Sequence, residues 1–184
     1  MVVMTTTKGQ LVPPDASDNS ALSQGDLALL ETPDARQLLT ASIPARMAYL
    51  AKDGTPRVVA TWFHWDGFEL VMPTFVAAPD VRRPAHRIGA LRARPRVAVT
   101  IDTESFPPKV LSLRGDVTIS EVAGVADEYA RAAVRYIGED AAAGYLASLD
   151  DPATVMARIA LRPNWVGLLD FRTRLPDVLG GVRR

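Results

Sequence analysis

The chain has 184 residues, no cysteine, two histidines, and 21 basic against 21 acidic side chains, so its formal net charge is zero. That balance argues against general nucleic-acid binding, which needs a broad positive surface. The missing cysteines exclude disulfides, thiol chemistry and cysteine-held iron or zinc, and two histidines argue against a histidine-rich metal site.

With 48% hydrophobic and 23% charged residues the composition is that of an ordinary globular chain. The length suits one domain with tails. No apolar run has the length of a signal peptide or a membrane span, so a cytoplasmic protein with no membrane partner is expected.

Residues 1–25, rich in Thr, Ser, Asp, Pro and Gly, read as a flexible N-terminal arm. Leu27, Leu29, Leu30, Ala35, Leu38 and Leu39 suggest one or two short helices, the second capped by Thr32 or Asp34. Met47–Leu50 is a short apolar run. Asp53-Gly54 then predicts a hairpin turn into a strand over 57–63. A second pair, Asp66-Gly67, predicts a return strand over 68–72, so that three strands form a meander. Pro73 to Arg83 reads as a ligand-facing loop.

The next stretch carries the most charge. Arg82 to Arg96 holds six arginines, one histidine and no acid. Pro84 suits a first helical position, and Ile88 and Leu91 share a face. His86 and Arg87 fall in the first turn, where the helix dipole disfavours cations but exposed N–H groups favour an anion. A phosphate between them would reconcile the two. The alternative is a solvated basic helix, with the stems of Arg92 and Arg94 lying over apolar surface.

Pro95 ends the helix, and Val97, Val99 and Ile101 alternate as a strand. Val110–Ile119 is a longer strand in which Gly115 marks a bulge or a close approach. An amphipathic helix is expected over 122–137 and a second over 139–148, followed by a helical turn at 152–157. A last strand runs through 158–161 and 165–169, interrupted at Pro163.

These elements predict a mainly β protein with added helices: a six-stranded antiparallel split β-barrel with helices packed outside. One domain is expected over 26–175, with a helical insertion at about 122–156 and a C-terminal tail at 176–184. The strands at 57–63 and 165–169 are apolar on both faces. A second apolar face on a barrel strand points to a twofold dimer, unless the late helices cover it.

The order and spacing of three segments resemble the pyridoxamine 5′-phosphate oxidase-like family of FMN-binding split barrels. They are Asp53-Gly54-Thr55-Pro56-Arg57-Val58-Val59-Ala60-Thr61-Trp62-Phe63, then His86-Arg87 with Leu91 and Pro95-Arg96-Val97, then Val110-Leu111-Ser112-Leu113-Arg114-Gly115. The resemblance implies a homodimer with cofactor sites at the interface. FMN is the implied cofactor, with the deazaflavin coenzyme (F-420) as the alternative. It implies cofactor contacts from Arg57, Val59, Ala60, Thr61 and Trp62, from Thr74, from His86 and Arg87, and from Trp165 reaching the partner's flavin.

The family's Ser-Arg-Lys stands here as Ala85-His86-Arg87, and the lysine that ends the oxidase's second-strand motif stands here as Trp62. Pyridoxamine phosphate is therefore not the expected substrate. The expected function is an FMN- or deazaflavin-binding oxidoreductase acting on a small molecule. No catalytic side chain is named and no metal is expected. A non-catalytic carrier of flavin or another anionic cofactor is the alternative, and a ligand-free interaction module is a third reading. Arg114 is expected to line the cofactor tail or to pair with Asp116 or Glu121, and His64 to be a surface group.

Overall fold

The computed structural model describes residues 22–82 and 85–171. Most of the expected arm, Pro84 and the expected tail at 176–184 lie outside these residues.

A 3-10 turn, Leu27–Glu31, leads into helix α1, Pro33–Thr40. Thr32 caps α1: its Oγ1 accepts from the Ala35 N–H at 3.4 Å while its hydroxyl donates to the Leu29 carbonyl at 2.7 Å. Strands β1, Ala45–Leu50, and β2, Pro56–Thr61, form the expected hairpin, with Tyr49 opposite Arg57. Gly54 takes a φ of +80°, which explains a glycine in this turn.

The expected meander is not formed. β2 ends at Thr61, and the Asp66-Gly67 turn joins a two-residue β3, His64–Trp65, to β4, Leu70–Ala77. β2 and β3 lie at opposite ends of the sheet order β2-β1-β5-β6-β7-β4-β3. Between them Phe63 is fully buried and Trp62 turns onto a later helix, so the chain crosses from one sheet edge to the other through its own core. The sheet has seven strands rather than six and is not closed by hydrogen bonds between its ends.

β4 also runs further than expected and takes Pro73 into the sheet. Pro73 pairs with Arg158 on β7, beyond the end of β3, where its other side needs no N–H donor.

Helix α2, Arg87–Ala93, buries Ile88 and Leu91, and β5, Arg96–Asp102, follows. β6, Val110–Ala123, and β7, Val155–Leu169, are the long central pair. Two expectations fail here for one reason. Val122 and Val155 belong to this ladder, with Val122 opposite Met156 and Ala123 opposite Val155, so neither is helical. Helix α3 begins only at Asp127 and ends at Ile137. Helix α4, Glu139–Ala147, lies where the sequence places it.

The interruption near Pro163 is a bulge rather than a break. Arg114 pairs with Trp165 and Gly115 with Pro163, which leaves Asn164 as the extra residue. Leu161 and Val166 both point inward and are fully buried, although five positions separate them. The inserted residue restores the phase that strict alternation would lose. At this pinch a Cβ on Gly115 would stand 2.4 Å from the Arg162 carbonyl oxygen, so close strand approach requires glycine.

The core joins the inner face of the sheet (Met47, Val99, Leu113, Leu161) to Leu38 and Leu39 of α1 and Leu91 of α2. The two doubly apolar strands have different fates. The edge of β7 left free beyond its pairing with β4 is capped by the chain itself. The Gly25 N–H donates to the Val166 carbonyl at 2.7 Å, and the Gln24 amide bonds both the carbonyl and the N–H of Leu168. The outer side of β2 stays open, with Val58 69% exposed beside Leu50 at 46%.

Candidate anion-binding site

A pocket of about 340 Å³ opens between the β1–β2 hairpin and the start of α2. Hairpin chemistry shapes one wall. The Asp53 carboxylate accepts from the Thr55 N–H at 3.0 Å and from the Thr55 hydroxyl at 2.6 Å, a local Asx-type turn. The Arg57 guanidinium lies 3.1 Å from the other Asp53 oxygen. The bonds from Thr55, and then the charge of Arg57, hold the Asp53 carboxyl below its usual range. Arg94 anchors this hairpin to α2 by donating to the Ala51 carbonyl at 2.6 Å.

Arg87 forms the other wall. One Nη donates to the Thr74 hydroxyl on β4, and its Nε is buried with no hydrogen-bond partner. Burial pushes the guanidinium below its ordinary pKa, which marks a desolvated charge. No carboxylate forms a salt bridge with it among the described residues. A desolvated cation with an unmet donor is costly unless an anion supplies what is missing. His86 sits at the rim, exposed, and its side chain makes no cap bond.

The other arginines of the basic stretch are used differently. Arg92 pairs with Glu121 at 2.6 Å and Arg96 with Asp116 at 3.3 Å. Arg92 and Arg94 stay exposed, as the solvated-helix alternative expects, and each also has a partner, Glu121 and the Ala51 carbonyl.

Arg57, His86 and Arg87 thus line one pocket, with Thr74 behind Arg87. Val59, Ala60 and Thr61 continue along β2 opposite Met47, Arg46 and Ala45. β2 is a terminal strand, so one row of its backbone N–H and C=O groups has no sheet partner. Trp62 does not join the pocket. It stacks on Tyr136 at 5.1 Å and 3° and lies 5.6 Å from Tyr129. Tyr129 in turn shares a 2.6 Å hydroxyl contact with Tyr145.

Trp165 also lies elsewhere, in a second concavity of about 630 Å³ on the outer sheet face. Arg114 stacks over its ring at 3.8 Å, so Arg114 pairs with neither Asp116 nor Glu121, whose partners are Arg96 and Arg92. Tyr49 lines both concavities and joins them. His64 is half-buried rather than a surface group. Burial, then the charges of Arg131 and Arg135, lower its pKa.

Sequence reasoning missed Lys52 and Tyr49 as pocket residues. The only available signal was position: Tyr49 stands opposite Arg57 in the β1–β2 register, and Lys52 lies in the turn just before Asp53. Among the described residues no group of His, Asp or Glu is arranged to hold a metal ion, and no helix is long and apolar enough to cross a membrane.

Comparison with known proteins adds the following. A family model described as pyridoxamine 5′-phosphate oxidase matches residues 32–166. No curated protein matches the chain. Among solved structures, an F-420 reductase is similar at 27% identity and a TM-score of 0.53, over 72% of this chain and 94% of that one. A conserved hypothetical protein from Mycobacterium tuberculosis is similar at 17% identity and a TM-score of 0.57, over 84% of this chain and 92% of that one. General stress protein 26 from Bacillus anthracis is similar at 15% identity and a TM-score of 0.52, over 78% of this chain and 95% of that one. The last two likenesses concern the fold alone.

Proposed function

The chain belongs to the pyridoxamine 5′-phosphate oxidase family, and from that premise we propose that it is a homodimeric oxidoreductase binding FMN or the deazaflavin coenzyme through its phosphate. One observation carries the reading: the half-buried Arg87, with an unpartnered Nε and no carboxylate partner, at the wall of an open basic pocket. In this reading Arg87 and Arg57 grip the phosphate, as planar guanidinium groups do through paired N–H donors. Thr74 holds Arg87 in place. His86 adds a rim contact, and the unpaired edge of β2 at Val59–Thr61 offers hydrogen bonds to the carbonyl and N–H groups of a planar ring.

When bound, the cofactor supplies hydride transfer, and the protein binds and orients it. No side chain is assigned an acid–base role. The likeness to an F-420 reductase supports the deazaflavin alternative. The open outer face around Val58 and Leu50 supports a dimer. In a dimer Trp165 is a candidate contact to the partner's cofactor, from a concavity that Tyr49 joins to the phosphate pocket.

The test is a fluorescence titration of the purified protein with FMN and with the deazaflavin coenzyme, repeated on Arg57→Ala and Arg87→Met. Tight binding of one cofactor is expected, with a combined loss of about 2–4 kcal/mol on substitution. Arg87→Met should leave the melting temperature unchanged or raise it, because it removes a desolvated charge that has no counter-ion. Binding unaffected by either substitution overturns the site. Tight binding with no turnover of any acceptor favours the carrier reading.

A further inference from the structure

The concavity of about 630 Å³ on the outer sheet face is a groove with a floor of small residues. Ala48, Ala98, Arg114 and Trp165 stand in one row across four neighbouring strands. The two alanines keep the floor low, while the Arg114–Trp165 stack, Tyr49 and Leu50 line its sides. Arg114 has no ion-pair partner among the described residues. A groove with two aromatic rings and an unpaired cation suits an extended chain that is apolar and acidic.

Such a chain begins beside the groove. Gly25 and Gln24 bond to Val166 and Leu168 of β7. A Cβ on Gly25 would stand 2.9 Å from Nε1 of Trp165, so the backbone there lies against the same indole. Residues 1–21 precede Leu22 and lie outside the described residues. Residues 9–21 hold Asp15 and Asp18, no basic side chain, and the apolar run Leu11-Val12-Pro13-Pro14. The stretch from Pro14 to Leu22 can span about 25 Å when extended. Trp165 lies only about 10 Å along β7 from Leu168.

We propose that residues 11–18 dock in the groove of their own chain as a strap over Trp165. The paired prolines favour the polyproline form, which packs on aromatic rings at low entropic cost. Asp15 or Asp18 supplies the carboxylate that Arg114 lacks. The strap leaves the phosphate pocket open and withholds Trp165 from any partner until it lifts. No cofactor is needed for this docking.

The chain has no cysteine, so a single introduced pair reports the contact cleanly. Val12→Cys is combined with Ala98→Cys on the groove floor or with Glu104→Cys. Glu104 is exposed on the β5–β6 loop, at the end of the sheet where Leu168 lies, so a freely swinging arm meets it as readily as Ala98. The full-length variants are oxidised with glutathione disulfide and resolved on non-reducing gels. Docking should make the Ala98→Cys pair close within one chain about tenfold faster than the Glu104→Cys pair. Arg114→Glu should slow that closure about two- to fivefold, as for an exposed charge pair. Adding Asp15→Arg and Asp18→Arg to Arg114→Glu should restore it.

Equal rates for the two cysteine pairs would overturn the proposal. So would a covalent dimer in place of a bridge within one chain, since a second copy's arm would then occupy the groove. Closure that is insensitive to Arg114→Glu would overturn it as well. Ala98, Glu104 and Arg114 are exposed, so these substitutions do not endanger the fold. All of these results are read without cofactor, and their failure leaves the cofactor reading standing.

Discussion

Replacing Gly115 by alanine adds one methyl group at the tightest point of the sheet. The new Cβ would lie 2.4 Å from the Arg162 carbonyl oxygen, 3.3 Å from its carbon and 3.0 Å from Leu161 Cδ1. An ordinary carbon–oxygen contact is about 3.3 Å, so β6 and β7 must part locally by about 0.9 Å. The obstacle is backbone in the two central strands, not the tip of a flexible side chain, so it cannot swing aside. Overpacking of this kind costs about 2–3 kcal/mol. For a chain of this size that lowers the melting temperature by about 5–10 °C.

Thermal and urea melts of the purified variant measure the change, and an unchanged urea slope would show that the denatured state is not responsible. Gly144→Ala is the matched control. Gly144 lies on α4 with no heavy atom within 4 Å of its missing Cβ. That variant should gain about 0.5–1 kcal/mol from helix propensity. Loss at Gly144, or a Gly115→Ala protein within about 0.5 kcal/mol of wild type, would refute the packing argument.

Two further outcomes follow from individual groups. Glu128 on α3 accepts from Arg158 on β7 at 2.9 and 2.5 Å, and this bonding holds its carboxyl below the ordinary value of 4.5. A carboxyl depressed in the folded state stabilises above its unfolded pKa, and that stability is lost as pH falls through the folded value. Glu128→Gln should therefore cost about 1–2 kcal/mol near neutral pH, with the difference from wild type shrinking as pH falls below the ordinary value and the carboxyl is protonated. A difference that persists in acid would show that shape, not charge, matters there.

Val58→Lys places a charge at the centre of the open β2 face without touching the core, since Val58 is 69% exposed. Sedimentation at micromolar concentration should show a wild-type dimer and a monomeric, folded variant. A dimeric variant would move the interface elsewhere.

The sequence by itself determined whatever depends on neighbours within a few positions. The Asp53-Gly54 turn, the Thr32 cap, α4 and the alternating strand at 96–102 all rest on local backbone preference, so short windows reveal them. The concentration of positive charge between Arg82 and Arg96 was equally legible, because charge is a property of composition.

Tertiary structure decided which of those charges remains unsatisfied. Arg92 and Arg96 find Glu121 and Asp116 on β6, 29 and 20 residues away, while Arg87 is turned onto Thr74 and finds no carboxylate. Helical periodicity over 122–125 was outweighed by the ladder that β7 offers to β6 up to Ala123. β2 and β3, adjacent in sequence, were sent to opposite sheet edges by the burial of Phe63. Local preferences are worth tenths of a kcal/mol per residue, whereas burial and long-range pairing act over whole strands. That difference in scale is why the elements could be read along the chain, while the site existed only after the chain had folded back on itself.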